Sequence, residues 1–233
     1  MPRTSSPVAG VPRSGIRTLM ELALRDPDAI RLEVGEPDAT TPEHVIAAAA
    51  ADARAGHTGY SSSTGIAELR EALAAHVTAR TGRPTHPDEV VVTHGAMHGL
   101  AMALQCALAP GEQVLLPDPE FPNWRMAAVA AGLDVGTYPT RAAHGFVPRV
   151  EDVERAIGPR TRAIVVCSPN NPTGAVYPRA VLEGICEVAR RHEDAGAAVA
   201  DDVGKPADVG RDDREAGRAR LDGGDAEGLG AAR

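Results

Sequence analysis

A chain of 233 residues with 43% hydrophobic content can bury one good core, and its length suggests one or two domains. The net charge of -8 comes with no Lys/Arg block, which argues against nucleic acid or an anionic membrane as a partner. No apolar run approaches the roughly 18 residues of a membrane span, and Met1-Pro2-Arg3-Thr4-Ser5-Ser6 lacks the apolar core of a signal peptide, so a cytoplasmic location is expected.

Residues 1–13 are rich in Pro, Ser and Arg and read as an irregular arm. Ile16, Leu19, Met20 and Ala23 fall at helical spacing, predicting a helix from Gly15 to Arg25. Ile30 to Val34 reads as a short strand turned by Gly35-Glu36-Pro37-Asp38. Thr41-Pro42-Glu43 opens an Ala-rich helix to Ala55, with Pro at the first helical position. A further helix is expected over Thr64 to Thr81. Strands and helices then alternate: strand Glu89 to Thr93, helix Ala96 to Ala107, strand Gln113 to Pro117, helix Asn123 to Ala131, strand Asp134 to Tyr138. The series continues with helix Val150 to Ile157, strand Arg162 to Cys167 and helix Pro178 to His192. Alternation with continuous apolar strands predicts an α/β three-layer sandwich, a mostly parallel sheet covered on both faces.

After His192 the composition changes. From Glu193 to Arg233 the sequence is dominated by Ala, Gly and charged residues, and Val199, Val203, Val209, Leu221 and Leu229 are its only sizeable apolar side chains. Such a segment buries too little apolar surface to offset its ordering entropy, so disorder is the expectation. Cys106, Cys167 and Cys186 are odd in number and lie in apolar context, which predicts small core residues and neither a disulfide nor a metal site. His94 and His98 are four apart, but with no neighbouring carboxylate ligand they do not read as a metal pair.

The densest signal is Ser168-Pro169-Asn170-Asn171-Pro172-Thr173-Gly174, directly after the apolar run Ala163-Ile164-Val165-Val166-Cys167. It ends a buried strand at its carboxyl end, where open α/β sheets hold their ligands. Two adjacent amides between prolines form a rigid donor platform. Upstream, in one order, stand Gly35-Glu36-Pro37-Asp38, Tyr60 before Gly65 and Leu69-Arg70, Val92-Thr93-His94-Gly95-Ala96, and Pro119-Glu120-Phe121-Pro122. This ordered set, from about Ser14 to His192, resembles the aspartate aminotransferase-like class I/II enzymes of pyridoxal-phosphate fold type I.

The resemblance implies pyridoxal 5'-phosphate as cofactor, amino acid and 2-oxo acid substrates, and a homodimer. It implies a phosphate cup made by the backbone amides of Gly95, Ala96 and Met97, where a helix N-terminus supplies N-H donors and partial positive charge. Phe121 would stack on the pyridine ring, and Asn171 would donate to the cofactor's phenolic oxygen. Tyr60 would reach the phosphate of the neighbouring subunit, and Gly35 would bring backbone close to the substrate carboxylate. The carboxylate that keeps the pyridine nitrogen protonated is matched by Asp201, although Gly204 stands where the family has tyrosine and Gly196-Ala197-Ala198 makes a poor strand.

The resemblance also requires a Schiff-base lysine. The sequence has a single lysine, Lys205, followed by Pro206 and outside the family's Ser-x-Ser-Lys context, so no catalytic residue is assigned. The organisation expected is an arm and helix over 1–34, a partial cofactor-binding large domain over 35–192 and a low-complexity tail over 193–233. A non-catalytic fragment with a frame-shifted tail and a lyase of the same fold remain open, because a fold does not fix a reaction.

Overall fold

The computed structural model describes residues 5–35 and 39–192, together with the backbone of 196–201. Its centre is a parallel sheet in the order β2-β1-β3-β4, made by β1 (Gln113–Asp118), β2 (Asp134–Pro139), β3 (Thr161–Ser168) and β4 (Gly196–Asp201). Parallel neighbours require crossovers, and helices supply them. α6 (Pro122–Ala130) joins β1 to β2, α7 (Val150–Ala156) joins β2 to β3, and α8 (Arg179–Arg191) joins β3 to β4, while α5 (Ala96–Ala107) leads into β1.

Side chains alternate across a strand, and the apolar runs divide accordingly. Val114 and Leu116 of β1 and Ala163 and Val165 of β3 enter one core with Leu104 of α5 and Trp124 and Ala128 of α6. Leu115 of β1 and Ile164 and Val166 of β3 enter the other, against Val153 of α7 and Ile185 and Ala189 of α8. A sheet buried on both faces needs no polar side, which is why these strands read as continuous apolar runs. Each fully buried Val, Leu or Ile contributes about 1.5–3 kcal/mol. Tyr138 is wholly buried and its hydroxyl donates to the Val165 carbonyl at 2.7 Å, tying β2 to β3 across β1. Burial pushes the Tyr138 phenol far above its usual range, with Tyr177 and Cys167 adding to the shift.

The amino-terminal half is more open. α1 (Ser6–Ala9), α2 (Gly15–Ala23), α3 (Glu43–Arg54) and α4 (Ala67–Thr81) together bury one residue, Ala74. The Arg70 guanidinium anchors α4 by donating to the Pro87 carbonyl at 2.8 and 3.0 Å and to Asp88 at 2.6 Å.

Two expected strands do not form among the described residues. Ile30 to Val34 has no ladder partner, and Ile30 and Leu32 are each 88% exposed. Glu89 to Thr93 begins in a 3-10 turn, Pro87–Glu89, and then runs extended; the Val92 amide bonds the Thr64 carbonyl at 2.9 Å, with no neighbouring strand. Periodicity measures willingness to pair, whereas a strand exists only where a second backbone lies beside it. The opposite holds for Gly196–Asp201: despite poor strand composition it pairs with β3 from Ala163↔Gly196 to Ser168↔Asp201. An adjacent ladder overrides weak propensity. Residues 202–233, including Lys205, lie outside the described residues. Cys186 is buried as expected, but Cys106 is exposed on α5 and is not a core residue.

Candidate functional site

Three strands end together at the carboxyl edge of the sheet, in the order Asp118 of β1, Ser168 of β3 and Asp201 of β4. The segments that follow β1 and β3 are tied back to these ends by backbone and side-chain hydrogen bonds. Thr140 clamps the end of β1 by donating its amide and hydroxyl to the Asp118 carbonyl at 2.8 and 2.9 Å. The chain then turns through Pro119 and Glu120 into α6, with Phe121 as the residue that caps the helix. Phe121 is partly buried against the same core as Met97 and Leu100 of α5, so the flat ring and the start of α5 lie on one wall.

The start of α5 is built by Gly95. Its φ of 80° and ψ of 165° belong to a region reserved for glycine. The Gly95 amide is already engaged by the Thr93 carbonyl at 2.9 Å, and the Thr93 hydroxyl donates to the Gly95 carbonyl at 3.1 Å. The amides of Ala96 and Met97 have no hydrogen-bond partner among the described residues. They are first-turn donors at the positive end of a twelve-residue helix. Of the three amides expected to form a cup, Gly95 therefore shapes the turn and Ala96 and Met97 are open to a ligand. His98 is turned back on this loop, its Nδ1 accepting from the His94 amide at 3.2 Å, with the two rings stacked at 5.5 Å between centroids.

The loop after β3 splits its two amides between separate tasks. Asn170 is 2% exposed and organises the turn: its amide donates to the Ala175 carbonyl at 2.8 Å, its carbonyl accepts from Gly174 at 2.6 Å, and its Nδ2 donates to the Thr173 hydroxyl at 2.9 Å. Asn171 is exposed, and its side chain has no hydrogen-bond partner among the described residues. The Ser168 hydroxyl accepts from the Tyr177 amide at 2.8 Å and closes the loop onto β3. Sequence reasoning treated the pair of asparagines as one platform and missed the inward role of Asn170. The hydroxyl three residues on, at Thr173, is the signal for it.

The remaining expected residues are placed less tightly. Asp201 stands at the carboxyl end of β4 opposite Ser168, on the same edge as Asn171; its side chain lies outside the described structure. Tyr60 is fully exposed among the described residues. At Gly35 an added Cβ would meet nothing within 4 Å, so the described residues set no steric requirement for glycine there. Glu120, not singled out from sequence, has a side chain only 13% exposed, and burial raises its carboxyl above the usual range against the opposing pull of Arg125.

Unclaimed helix-start amides, a partly buried ring on the same core and an exposed carboxamide on the loop after β3 are donor and stacking groups of the kind a planar phosphate ester takes. Residues 27–203 match the family Aminotransferase class I and II, and the chain belongs to that family. It is 43% identical over 174 residues to the aspartate/prephenate aminotransferase of Thermus thermophilus, covering 75% of this chain and 45% of that protein. To the arginine–pyruvate transaminase of Pseudomonas aeruginosa it is 36% identical over 166 residues, covering 71% and 42%. Among solved structures, aspartate aminotransferase from Thermus thermophilus with maleate superposes with a TM-score of 0.78 at 39% identity, covering 86% of this chain and 53% of that one. Alanine aminotransferase from Pyrococcus furiosus gives 0.78 at 31%, covering 84% and 51%. The chain thus spans about half the length of the relatives it matches. Enzymes of this class depend on pyridoxal phosphate.

Proposed function

We propose that this chain carries the cofactor-binding half of an aminotransferase that moves an amino group between an amino acid and a 2-oxo acid. The observations that support it most directly are the open Ala96 and Met97 amides at the start of α5, the Phe121 ring packed on the same core as Met97, and the exposed Asn171 carboxamide on the loop after β3. In this reading pyridoxal phosphate supplies the electron sink that acidifies the substrate's α-carbon. The α5 amides would hold its phosphate, Phe121 would exclude water from one ring face, Asn171 would orient the ring oxygen, and Asp201 would supply the carboxylate for the ring nitrogen. Tyr60, exposed and unsupported here, serves the phosphate of a second copy in a homodimer, and Gly35 borders the substrate carboxylate. The donor amino acid is left open by relatives as different as aspartate/prephenate and arginine–pyruvate enzymes.

Calorimetric titration of the purified chain with pyridoxal phosphate tests the reading. Phe121→Ala and Asn171→Ala are each expected to weaken binding about threefold to tenfold, the worth of one stack or one hydrogen bond. Unchanged affinity in both variants would remove these residues from the site.

Lys205 is the one lysine in these 233 residues, so any other lysine partner for the cofactor would come from outside them. We propose that the chain by itself forms no borohydride-stable adduct with the cofactor and does not catalyse transamination. Without a positioned proton-transfer group the rate falls by about 10²- to 10⁴-fold. Peptide mapping after borohydride treatment checks this, and a cofactor adduct on Lys205 contradicts it.

A further inference from the structure

Phe121 caps α6, and Glu120 just before it is paired with Arg125 in the first turns of the helix. Glu120 lies immediately before the cap and Arg125 at the fourth helical position, and their side chains form an ion pair through Arg125 Nε and Glu120 Oε1. These two positions are the ones a hydrophobic staple uses to fix the angle at which a chain enters a helix. A staple of charges is directional in a way an apolar one is not, because a charge-assisted hydrogen bond, here from Arg125 Nε to Glu120 Oε1, has a preferred distance and angle. The second carboxylate oxygen, Oε2, is buried and unpartnered among the described residues, so the pair has no competing bond that would let it swing away.

We propose that the Glu120–Arg125 pair is a positioning device for the cofactor's ring: it fixes the backbone at Phe121 and so sets the plane on which the ring stacks. The inference rests on the proposed function. Glu120 and Arg125 act through Phe121. The phosphate donors, Ala96 and Met97, belong to a different helix, so the device governs ring stacking and leaves phosphate capture alone.

The charged surroundings of the pair are sparse. Arg125 and Asp118 are the groups that act on the Glu120 carboxyl. Of the elements packed on α6, α1 is uncharged, α5 carries His98, and β2 carries Asp134 at its opposite end. Burial raises the Glu120 carboxyl first, and Asp118 raises it further, against the lowering by Arg125. Protonation therefore begins above the ordinary glutamate value of about 4.3 and weakens the pair as pH falls.

Trp124, the only tryptophan, sits between the two partners and is 7% exposed, so its fluorescence reports the first turn of α6. The experiment compares the full chain with Glu120→Gln, Arg125→Met and the reversed pair Glu120→Arg/Arg125→Glu. Each is titrated with pyridoxal phosphate, read as quenching of Trp124, and separately with inorganic phosphate, read by calorimetry. The single variants are expected to bind pyridoxal phosphate about threefold to tenfold more weakly, with inorganic phosphate affinity unchanged and the reversed pair restoring at least part of the loss. Without ligand, Trp124 emission should change with a midpoint above pH 4.3, and Glu120→Gln should abolish the change. Unaltered affinity in the single variants overturns the inference while leaving the proposed function standing. A parallel loss of pyridoxal phosphate and inorganic phosphate overturns it too, since the pair would then only support the fold. Absence of pyridoxal phosphate binding by the unaltered chain overturns the proposed function and this role with it. Should a single variant fail to fold, the reversed pair decides: folded but without restored affinity, it refutes the device.

Discussion

Replacing Gly95 by alanine is expected to lower stability by about 1–3 kcal/mol and to weaken phosphate binding at least tenfold. The cause is conformational and not steric. A Cβ built on Gly95 meets nothing within 4 Å, so no neighbour needs to move. What alanine cannot adopt without strain is φ 80° with ψ 165°. Relief requires rotation about the Gly95 backbone, and the next peptide unit carries the Ala96 amide, one of the two open donors at the start of α5. A charge-assisted bond of that kind is worth about 1.5–3 kcal/mol, which is tenfold or more in affinity. Thermal unfolding and titration with inorganic phosphate measure the two effects separately. Gly35→Ala is the control: its φ is not in the left-handed region, an added Cβ touches nothing, and no change in stability is expected. A lowered melting temperature in Gly95→Ala with phosphate affinity intact would mean that the phosphate is held elsewhere.

The contrast between these two glycines marks how far sequence carried the reading. Both stand in motifs that resemble the family, and composition gives them equal weight. Only backbone geometry separates Gly95, which this chain itself needs, from Gly35. The alternation of strand and helix from Ala96 to His192 was legible, because each apolar run finds its partner strand within the described residues and burial enforces the pattern. Glu89 to Thr93 was misread for the opposite reason: its apolar residues suit a strand, but beyond the single bond from the Val92 amide to the Thr64 carbonyl no second strand pairs with it among the described residues. β4 was undervalued because propensity counts side chains and ignores the ladder that Ala163 to Ser168 offers. At the site, Phe121 and Asn171 were visible as residue types in a known order. Glu120 and Asn170 were not, since what distinguishes them is burial and partner geometry, which no motif encodes.

That burial makes Asn170→Asp a sensitive test of the loop after β3. Asn170 is 2% exposed, and its Oδ1 is shielded from solvent without a hydrogen-bond partner among the described residues. A neutral aspartic acid nearly matches the amide in shape and can donate its O-H to the Thr173 hydroxyl where Nδ2 now donates. An ionised one cannot donate, and it meets no hydrogen-bonded cation among the described residues. The folded pKa of the new carboxyl must therefore rise above its unfolded value of about 3.9. For a group raised on folding, the stability is fully present below the unfolded pKa and is lost as pH climbs towards the folded one. Relative to the unaltered chain, Asn170→Asp should be close to neutral near pH 3.5. It should then lose about 1.4 kcal/mol per pH unit and reach a deficit of about 3 kcal/mol or more by pH 7.5. Asn171→Asp, one residue on and exposed, should stay within about 0.5 kcal/mol throughout. Denaturant unfolding of the three proteins between pH 3.5 and 8 gives the curves. A deficit for Asn170→Asp that does not grow with pH would show that water or a cation reaches this position, and that the loop holding Asn171 is not ordered by a buried amide.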